Sequence, residues 1–419
     1  MKNSIDPHYR SEYPESWETR SILSLGQFIQ GAGFPEDLQG KLSEQFPFFK
    51  VSDFNLERNE KTLKDHSNSI SEKTRKILGA KIVPTGSVVF AKVGAALLLN
   101  RRRITIRNSI IDNNCAAIFP KKGIDLEFLF QTMCNIDFGN YVQPGAVPSI
   151  NQGVLDSILI NIPKSFEEQQ KIASVLMTVD KAIEKTKVLI EKNMNIKQGL
   201  MKDLFMKGDD KRGKPISYRE TTLGKECDEI YRYPTYYDIK YVPSGVREIR
   251  GELISDNGSI DLKSDNQRYI SEKTSRKFPR TILKEGDFII SVRGTMGKIG
   301  YISSEIAGSN ITANLIRISP NRKRIFPPWL KQYFLGPVFQ AELEYLSSAT
   351  TIKTIKSPDL KSIKLFVPSI DEQIKLTNIL ESVDSKIEGE KKYLEKLIIL
   401  KSGLMQDLLT GKVRVKVAE

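Results

Sequence analysis

The 419-residue chain holds only two histidines, His8 and His66, and three scattered cysteines, Cys115, Cys134 and Cys227, with no CxxC pair. That poverty excludes a zinc finger and a disulfide framework and fits a reducing cytoplasm. No stretch approaches the ~18 consecutive apolar residues of a membrane-spanning helix. The opening string MKNSIDPHYRSEYPESW has no apolar core, so no secretory signal is expected. Motifs that carry chemistry are missing as well. There is no GxxxxGK[ST] phosphate loop, although Gly-Lys pairs stand at 40–41, 213–214, 224–225, 297–298 and 411–412. The nearest string to Asn/Asp-Pro-Pro-Tyr/Phe is Asp6-Pro7-His8-Tyr9, which lacks the second proline. Neither GxSxG nor HExxH occurs. An ATP-driven motor, an adenine methyltransferase, a serine hydrolase and a zinc protease are therefore not expected. Glu72-Lys73 and Glu272-Lys273 look like fragments of a nuclease site, but no upstream carboxylate of fixed spacing accompanies them. A polar turn is the better reading.

What the chain has in excess is positive charge. Lys plus Arg outnumber Asp plus Glu by 64 to 51, a net +13. Residues 1–150 carry +3, 151–214 carry +3, 215–350 carry +4 and 351–419 carry +3. A basic balance favours a polyanionic partner. Spread this evenly, it is equally compatible with solvated lysine faces.

The chain also repeats itself. ISEKT occurs at 70–74 and again at 270–274. At the same shift of 200, Ile82 meets Ile282, Gly86 meets Gly286, Gly94 meets Gly294, Ile118 meets Ile318 and Pro120 meets Pro320. A second block, 168–204, matches 372–408 at a shift of 204, with 17 of 37 positions identical. The order is thus A–B–A′–B′, divided as 1–150, 151–214, 215–350 and 351–419, with 208–216 (GDDKRGKPI) as the clearest linker.

Each B block opens on an apolar strand-like run, 158–162 or 363–367, closed by Pro163 or Pro368. A long helix follows, with Glu167, Glu168, Asp371 and Glu372 near its positive end. In the second copy Leu376, Leu380, Val383, Ile387, Leu394, Leu397, Leu404 and Leu408 recur at alternating steps of four and three, interrupted by Glu390 and Lys401. In the first copy Ile172, Leu176, Val179, Ile183, Ile190, Leu200 and Leu204 do the same, interrupted by Thr186, Asn193 and Lys197. This is a coiled-coil seam. A helix of ~39 residues extends ~58 Å, more than one small domain can cover. The two helices therefore pack most simply on each other; the alternative is that each covers only its own domain.

The A blocks alternate short apolar runs with Gly and Pro. Strands are expected at 81–83, 88–92, 104–106, 281–283, 288–292, 299–302 and 315–318, and helices at 126–134 and 329–335. Each A block reads as a mixed α/β globule. Candidate cations for DNA lie beside these runs: Lys92, Arg101, Arg102, Arg103 and Arg107 in A, and Arg293 and Lys298, with the hydroxyl of Thr295, in A′. Arg293 offers a fork for a guanine edge or a phosphate. The competing reading of 293–298 is a hairpin turn with exposed charges. Tyr233, Tyr236 and Tyr237 can stack on bases but more often pack a core.

The string Pro-Ser-Ile-Asp-Glu-Gln (368–373) before a long heptad helix that closes on Gly-Leu-Met-Gln-Asp-Leu-Leu-Thr-Gly-Lys (403–412), with its counterpart at 163–208, resembles the conserved regions of Type I restriction–modification specificity subunits. ESWETRSILSLG (15–26) and SYRETTLG (217–224) resemble the starts of that family's target recognition domains. The resemblance spans nearly the whole chain. It implies an α/β (α+β) protein with a pseudo-two-fold internal repeat. Two recognition domains, 1–150 and 215–350, would be separated by two long helices paired as an antiparallel coiled coil. It further implies a non-catalytic reader of a bipartite, asymmetric site in double-stranded DNA. Two methyltransferase subunits would dock on it, with a restriction subunit as a further partner. S-adenosylmethionine, ATP and Mg2+ would reside in those partners, and this chain would hold no cofactor. Val93-Gly94-Ala95 stands where A′ has Arg293-Gly294-Thr295, so the two halves would read different bases. The alternative is a scaffold protein whose duplicated domains bind other proteins. Adding one turn to both long helices is expected to lengthen the unread spacer between half-sites. Methylation sequencing in a host carrying the lengthened chain reads this, and an unchanged spacer removes the helices as a ruler.

Overall fold

The duplicated sequence builds a duplicated set of elements in the computed structural model. The structure describes residues 4–5, 13–142, 147–205, 217–232, 239–293, 296–348 and 355–416. The linker 208–216, the tyrosines Tyr233, Tyr236 and Tyr237, and Thr295 lie outside them. Two compact units result: Met1–Lys187 with Tyr393–Glu419, and Val188–Lys392.

In the first unit a five-stranded sheet runs Gly26–Gln30, Cys115–Pro120, Val88–Ala91, Arg102–Thr105 and Thr62–Leu63. The first four are antiparallel neighbours and the last is parallel. Helix α1 (Leu126–Asn135) supplies Phe128, Leu129 and Met133 to the core behind this sheet. A smaller sheet joins Ser69–Ile70, Phe46–Phe49 and Ile110–Ile111. A third pairs Ile158–Pro163 with Trp17–Ser21 and leads into the long helix α2 (Phe166–Phe205).

The second unit repeats this plan. Cys227–Arg232, Leu315–Pro320, Phe288–Ser291 and Ile299–Tyr301 form its main sheet. Helix α3 (Pro327–Leu335) packs Trp329, Leu330 and Phe334 behind it. Arg219–Thr222 pairs with Lys364–Val367, and the long helix α4 (Ile370–Leu408) follows.

Two of the expected strands are not strands. Residues 81–83 and 281–283 make single bridges, Val83 to Ser109 and Ile282 to Asn310. Each run is cut at once by a turn whose glycine, Gly86 or Gly286, has a φ of 82° or 80°, a conformation few other residues adopt. The repeated ISEKT string is a helix start. Ser71 Oγ accepts from the Thr74 amide at 3.2 Å and Ser271 Oγ from the Thr274 amide at 3.1 Å, capping Glu72–Ile77 and Glu272–Lys277. No group of His, Cys, Asp and Glu suited to a metal ion occurs among the described residues.

The long helices have 40 and 39 residues. Each follows a proline and a serine, and Ser165 Oγ and Ser369 Oγ accept from the Glu168 and Glu372 amides, both at 3.3 Å. One turn in, Gln169 and Gln373 sew each helix start to its domain. Gln169 accepts from the Asp125 amide at 3.0 Å and donates to the carbonyls of Pro163 and Gly123. Gln373 accepts from the Phe326 amide at 2.7 Å and donates to those of Pro368 and Arg324. Both glutamines are buried.

Within the first unit α2 and α4 run antiparallel: Asp180 pairs with Lys401 at 2.6 Å, and Glu168, earlier on α2, meets Arg414 just beyond α4 at 2.6 Å. Within the second unit Lys197 pairs with Asp384 at 2.6 Å. Of the seam residues, Leu176, Val179, Leu204, Leu380, Ile387 and Leu408 are buried. Ile183, Ile190, Leu200, Val383, Leu394 and Leu404 are half-buried. Leu176 and Leu408 share one apolar cluster with the first domain's core, and Leu204 and Leu380 share another with the second's. Gln169→Ala and Gln373→Ala are each expected to lower stability by ~1–3 kcal/mol, because each orphans buried backbone groups. Thermal unfolding checks this, and midpoints unchanged in both variants remove the stitching role.

Candidate nucleic-acid interface

An antiparallel strand pair ends in a tip, and the tips of two such pairs hold most of the candidate cations. In the first unit the connection between Val88–Ala91 and Arg102–Thr105 carries Lys92 and Arg101, both half-buried. The Lys92 backbone is bonded on both sides, to the Asn114 carbonyl at 2.8 Å and the Ile150 amide at 2.9 Å. Beyond it a short helix, Ala95–Leu98, presents Leu98 and Leu99 to solvent. Asn100 then takes a left-handed φ of 51°. Its side chain holds the turn by accepting from the Phe138 amide at 2.9 Å and from Arg102 at 3.1 Å.

The equivalent connection in the second unit joins Phe288–Ser291 to Ile299–Tyr301. Ser291 and Lys298 close it, with the Ser291 amide donating to the Lys298 carbonyl at 2.9 Å and the Lys298 amide to Ser291 Oγ at 3.0 Å. Gly297 supplies a φ of 83°. Arg293 is exposed at the tip, while Lys298 is half-buried. Lys298 turns back to the Ile254 carbonyl at 3.1 Å and to Asp256 at 3.4 Å, so part of its charge is already engaged. Half-buried Arg232, at the end of Cys227–Arg232, was missed from sequence. Its guanidinium is lowered from the usual arginine range, first by burial and then by repulsion from Arg293.

Two of the expected DNA-facing residues face inward. Arg102 and Arg103 lie on a strand whose four residues are all buried. Arg102 sits 3.9 Å over the Phe138 ring and donates to the Ile136 carbonyl at 2.8 Å. Burial pushes its guanidinium down to about 10. Arg103 donates to the carbonyls of Phe54 at 2.9 Å and Arg102 at 2.8 Å. Its guanidinium is lowered first by burial and next by the charge of Arg101. Both tie the domain together, because a buried guanidinium needs carbonyls and an aromatic face to replace water. Arg107 is exposed, past the far end of the same strand, beside His66 Nδ1 at 3.1 Å.

The small sheet of the second unit adds a feature that sequence reasoning passed over. Arg268 lies 5.1 Å over the exposed Tyr241 ring. Glu248, buried nearby, is raised above the ordinary carboxylate range, mainly by burial. The signal was faint: single charges on strands of two to four residues.

Comparison with known proteins agrees with this duplicated plan. The model of the Type I restriction modification DNA specificity domain matches twice, over residues 14–192 and 238–397. The chain is 24% identical over 418 residues to the Type I restriction enzyme MjaVIII specificity subunit of Methanocaldococcus jannaschii, covering 96% of this chain and 94% of that one. Among solved structures it resembles the S subunit of a Type I restriction–modification system from M. genitalium, with a TM-score of 0.55 and 17% identity over 96% of this chain and 99% of that one. It also resembles a chain from a structure of type I restriction–modification complex assembly, with a TM-score of 0.62 and 16% identity over 96% and 100%. Because the family model covers most of its length in two successive copies, this chain belongs to the Type I restriction modification DNA specificity family.

Proposed function

We propose that the chain is the non-catalytic DNA-reading subunit of a Type I restriction–modification complex. Residues 1–150 and 215–350 act as two target recognition domains, each taking one half of a bipartite, asymmetric site. Residues 151–214 and 351–419 carry the long helices and offer the docking surface for two methyltransferase subunits, which bring the S-adenosylmethionine. A restriction subunit working with ATP and Mg2+ is the further partner. The complex works in the cytoplasm, where its DNA lies.

One observation carries this reading: the DNA specificity domain matches twice along a chain whose two halves keep one scaffold but differ at equivalent tips. Lys92 and Arg101 stand at one tip, and Arg293 with Lys298 at the other. A reader of two different half-sites needs one way of holding DNA and two sets of base contacts. Thr295, between Arg293 and Lys298 in the sequence, belongs to the same proposed contact. Arg107 remains a candidate for phosphate.

In the assembled complex, affinity for duplex is expected to fall steeply as salt rises, since phosphate contacts release counterions. Filter binding at graded salt measures it, and a flat profile favours a protein-binding scaffold. Arg293→Ala is expected to cost ~1–3 kcal/mol on specific duplex if the fork grips a base edge. A variant with unchanged affinity and an unchanged methylated motif takes Arg293 out of the interface.

A further inference from the structure

Two consecutive leucines face solvent at the hairpin tip of the first unit. The short helix Ala95–Leu98 turns Leu97 inward, yet leaves Leu98 and Leu99 47% and 56% exposed. Val147 is exposed as well, one residue before Pro148, whose carbonyl takes the Gly94 amide at 2.8 Å. The tip is braced on both sides. Gly94 enters it with a φ of 81°. Asn100 leaves it with its side chain donating to Asp137 and accepting from the Phe138 amide at 2.9 Å. The leucines therefore stand on a fixed backbone and have little freedom to lose on binding. The sequence around them is basic throughout. Between Glu72 and Asp112 it holds nine lysines and arginines (73, 75, 76, 81, 92, 101–103 and 107) and no acid. The matching stretch of the second copy, 273–311, contains Glu285, Asp287 and Glu305.

Resting on the DNA-reading role proposed above, we infer that Leu98 and Leu99 form a wedge that enters between base pairs of the first half-site and unstacks one step. A lone exposed leucine needs no explanation. An adjacent pair on a braced tip does, and Val147 adds a third apolar side chain nearby in the fold. A protein surface is the other occupant that suits an apolar tip, and charge decides against it. Protein interfaces are depleted in lysine, whereas a stretch with nine cations and no acid fits a polyanion. Apolar side chains driven into a step, with cations on the flanking phosphates, are a general means of kinking duplex DNA. Opening costs least at pyrimidine–purine steps, so a wedge reads sequence through deformability. Lys92 and Arg101, at the same tip, supply the phosphate contacts. The second tip carries exposed Arg293 in place of such a pair. One scaffold then reads in two modes, by deformation at one half-site and by hydrogen bonds to base edges at the other.

The test uses the full chain with its methyltransferase, on duplexes carrying the site that methylation sequencing identifies. Fluorescence of 2-aminopurine in place of adenines and permanganate oxidation of thymines both report unstacking, the methylated adenines and their paired thymines excepted. The wild-type complex should show one unstacked step in the first half-site. L98A/L99A should return that step to the level of free duplex and leave the second half-site unchanged. Methylation should also spread to sites that differ at that step. L98M/L99M, of similar bulk, should keep the signal. No unstacked step in the wild type, a step retained in L98A/L99A, or a step lost in L98M/L99M overturns the inference. So does an L98A/L99A chain that no longer co-purifies with its methyltransferase, since the leucines would then dock protein. A wild-type complex that binds no duplex site specifically would instead defeat the DNA-reading role.

Discussion

A carboxylate shared between a neighbouring helix and a neighbouring domain is the constraint on which the rest of this architecture turns. A helix of about 40 residues extends ~60 Å, and the core of one recognition domain covers only part of it. In each unit the domain's apolar cluster takes in one end of α2 and one end of α4. Between those ends buried positions such as Val179, Ile387 and Leu397 alternate with half-buried ones such as Ile183, Ile190, Val383 and Leu394. Asp180, held by Gln131 at 2.7 Å and Lys401 at 2.6 Å, and Asp384, held by Gln332 at 3.0 Å and Lys197 at 2.6 Å, add directional charge-assisted contacts to that seam.

The two recognition domains show what a duplicated scaffold preserves and what it releases. Strand order, the Ser-capped helix after ISEKT and the glutamine at each long-helix start recur in both. The interiors are not copies. In the second sheet Arg317 is buried against Asp287 at 2.7 Å and reaches Glu229 at 3.4 Å, where the first has Ala117 and Ser87. The tips diverge further, with a short helix and two exposed leucines in one and a glycine turn with an exposed arginine in the other. Backbone pairing specifies the sheet and demands little of the loop that closes a hairpin.

The arginine run 101–103 shows how charge misleads a reader of sequence. Three consecutive guanidiniums look like a surface for phosphate. Yet alternate strand residues point to opposite faces, and here both faces are covered, by Phe138 and the Ile136 carbonyl on one side and by the Phe54 carbonyl on the other. Composition registers charge; it does not register which carbonyls will stand nearby.

Much of the architecture was legible before any coordinates. Self-comparison revealed the duplication, the long helices and their seams, because periodicity and repetition are local properties of a string. The strands at Val88–Ala91, Phe288–Ser291 and Leu315–Pro320 followed from apolar runs punctuated by Gly and Pro. Lys197 and Lys401 read only as interruptions of a seam. They acquired a role when folding brought each within 2.6 Å of an aspartate on the opposite helix, more than 180 residues away in sequence. The same holds for the inward arginines and the stitching by Gln169 and Gln373. A pattern along one chain reports which face of an element is apolar, but a polar contact depends on the distance between two elements, and only tertiary packing sets that distance.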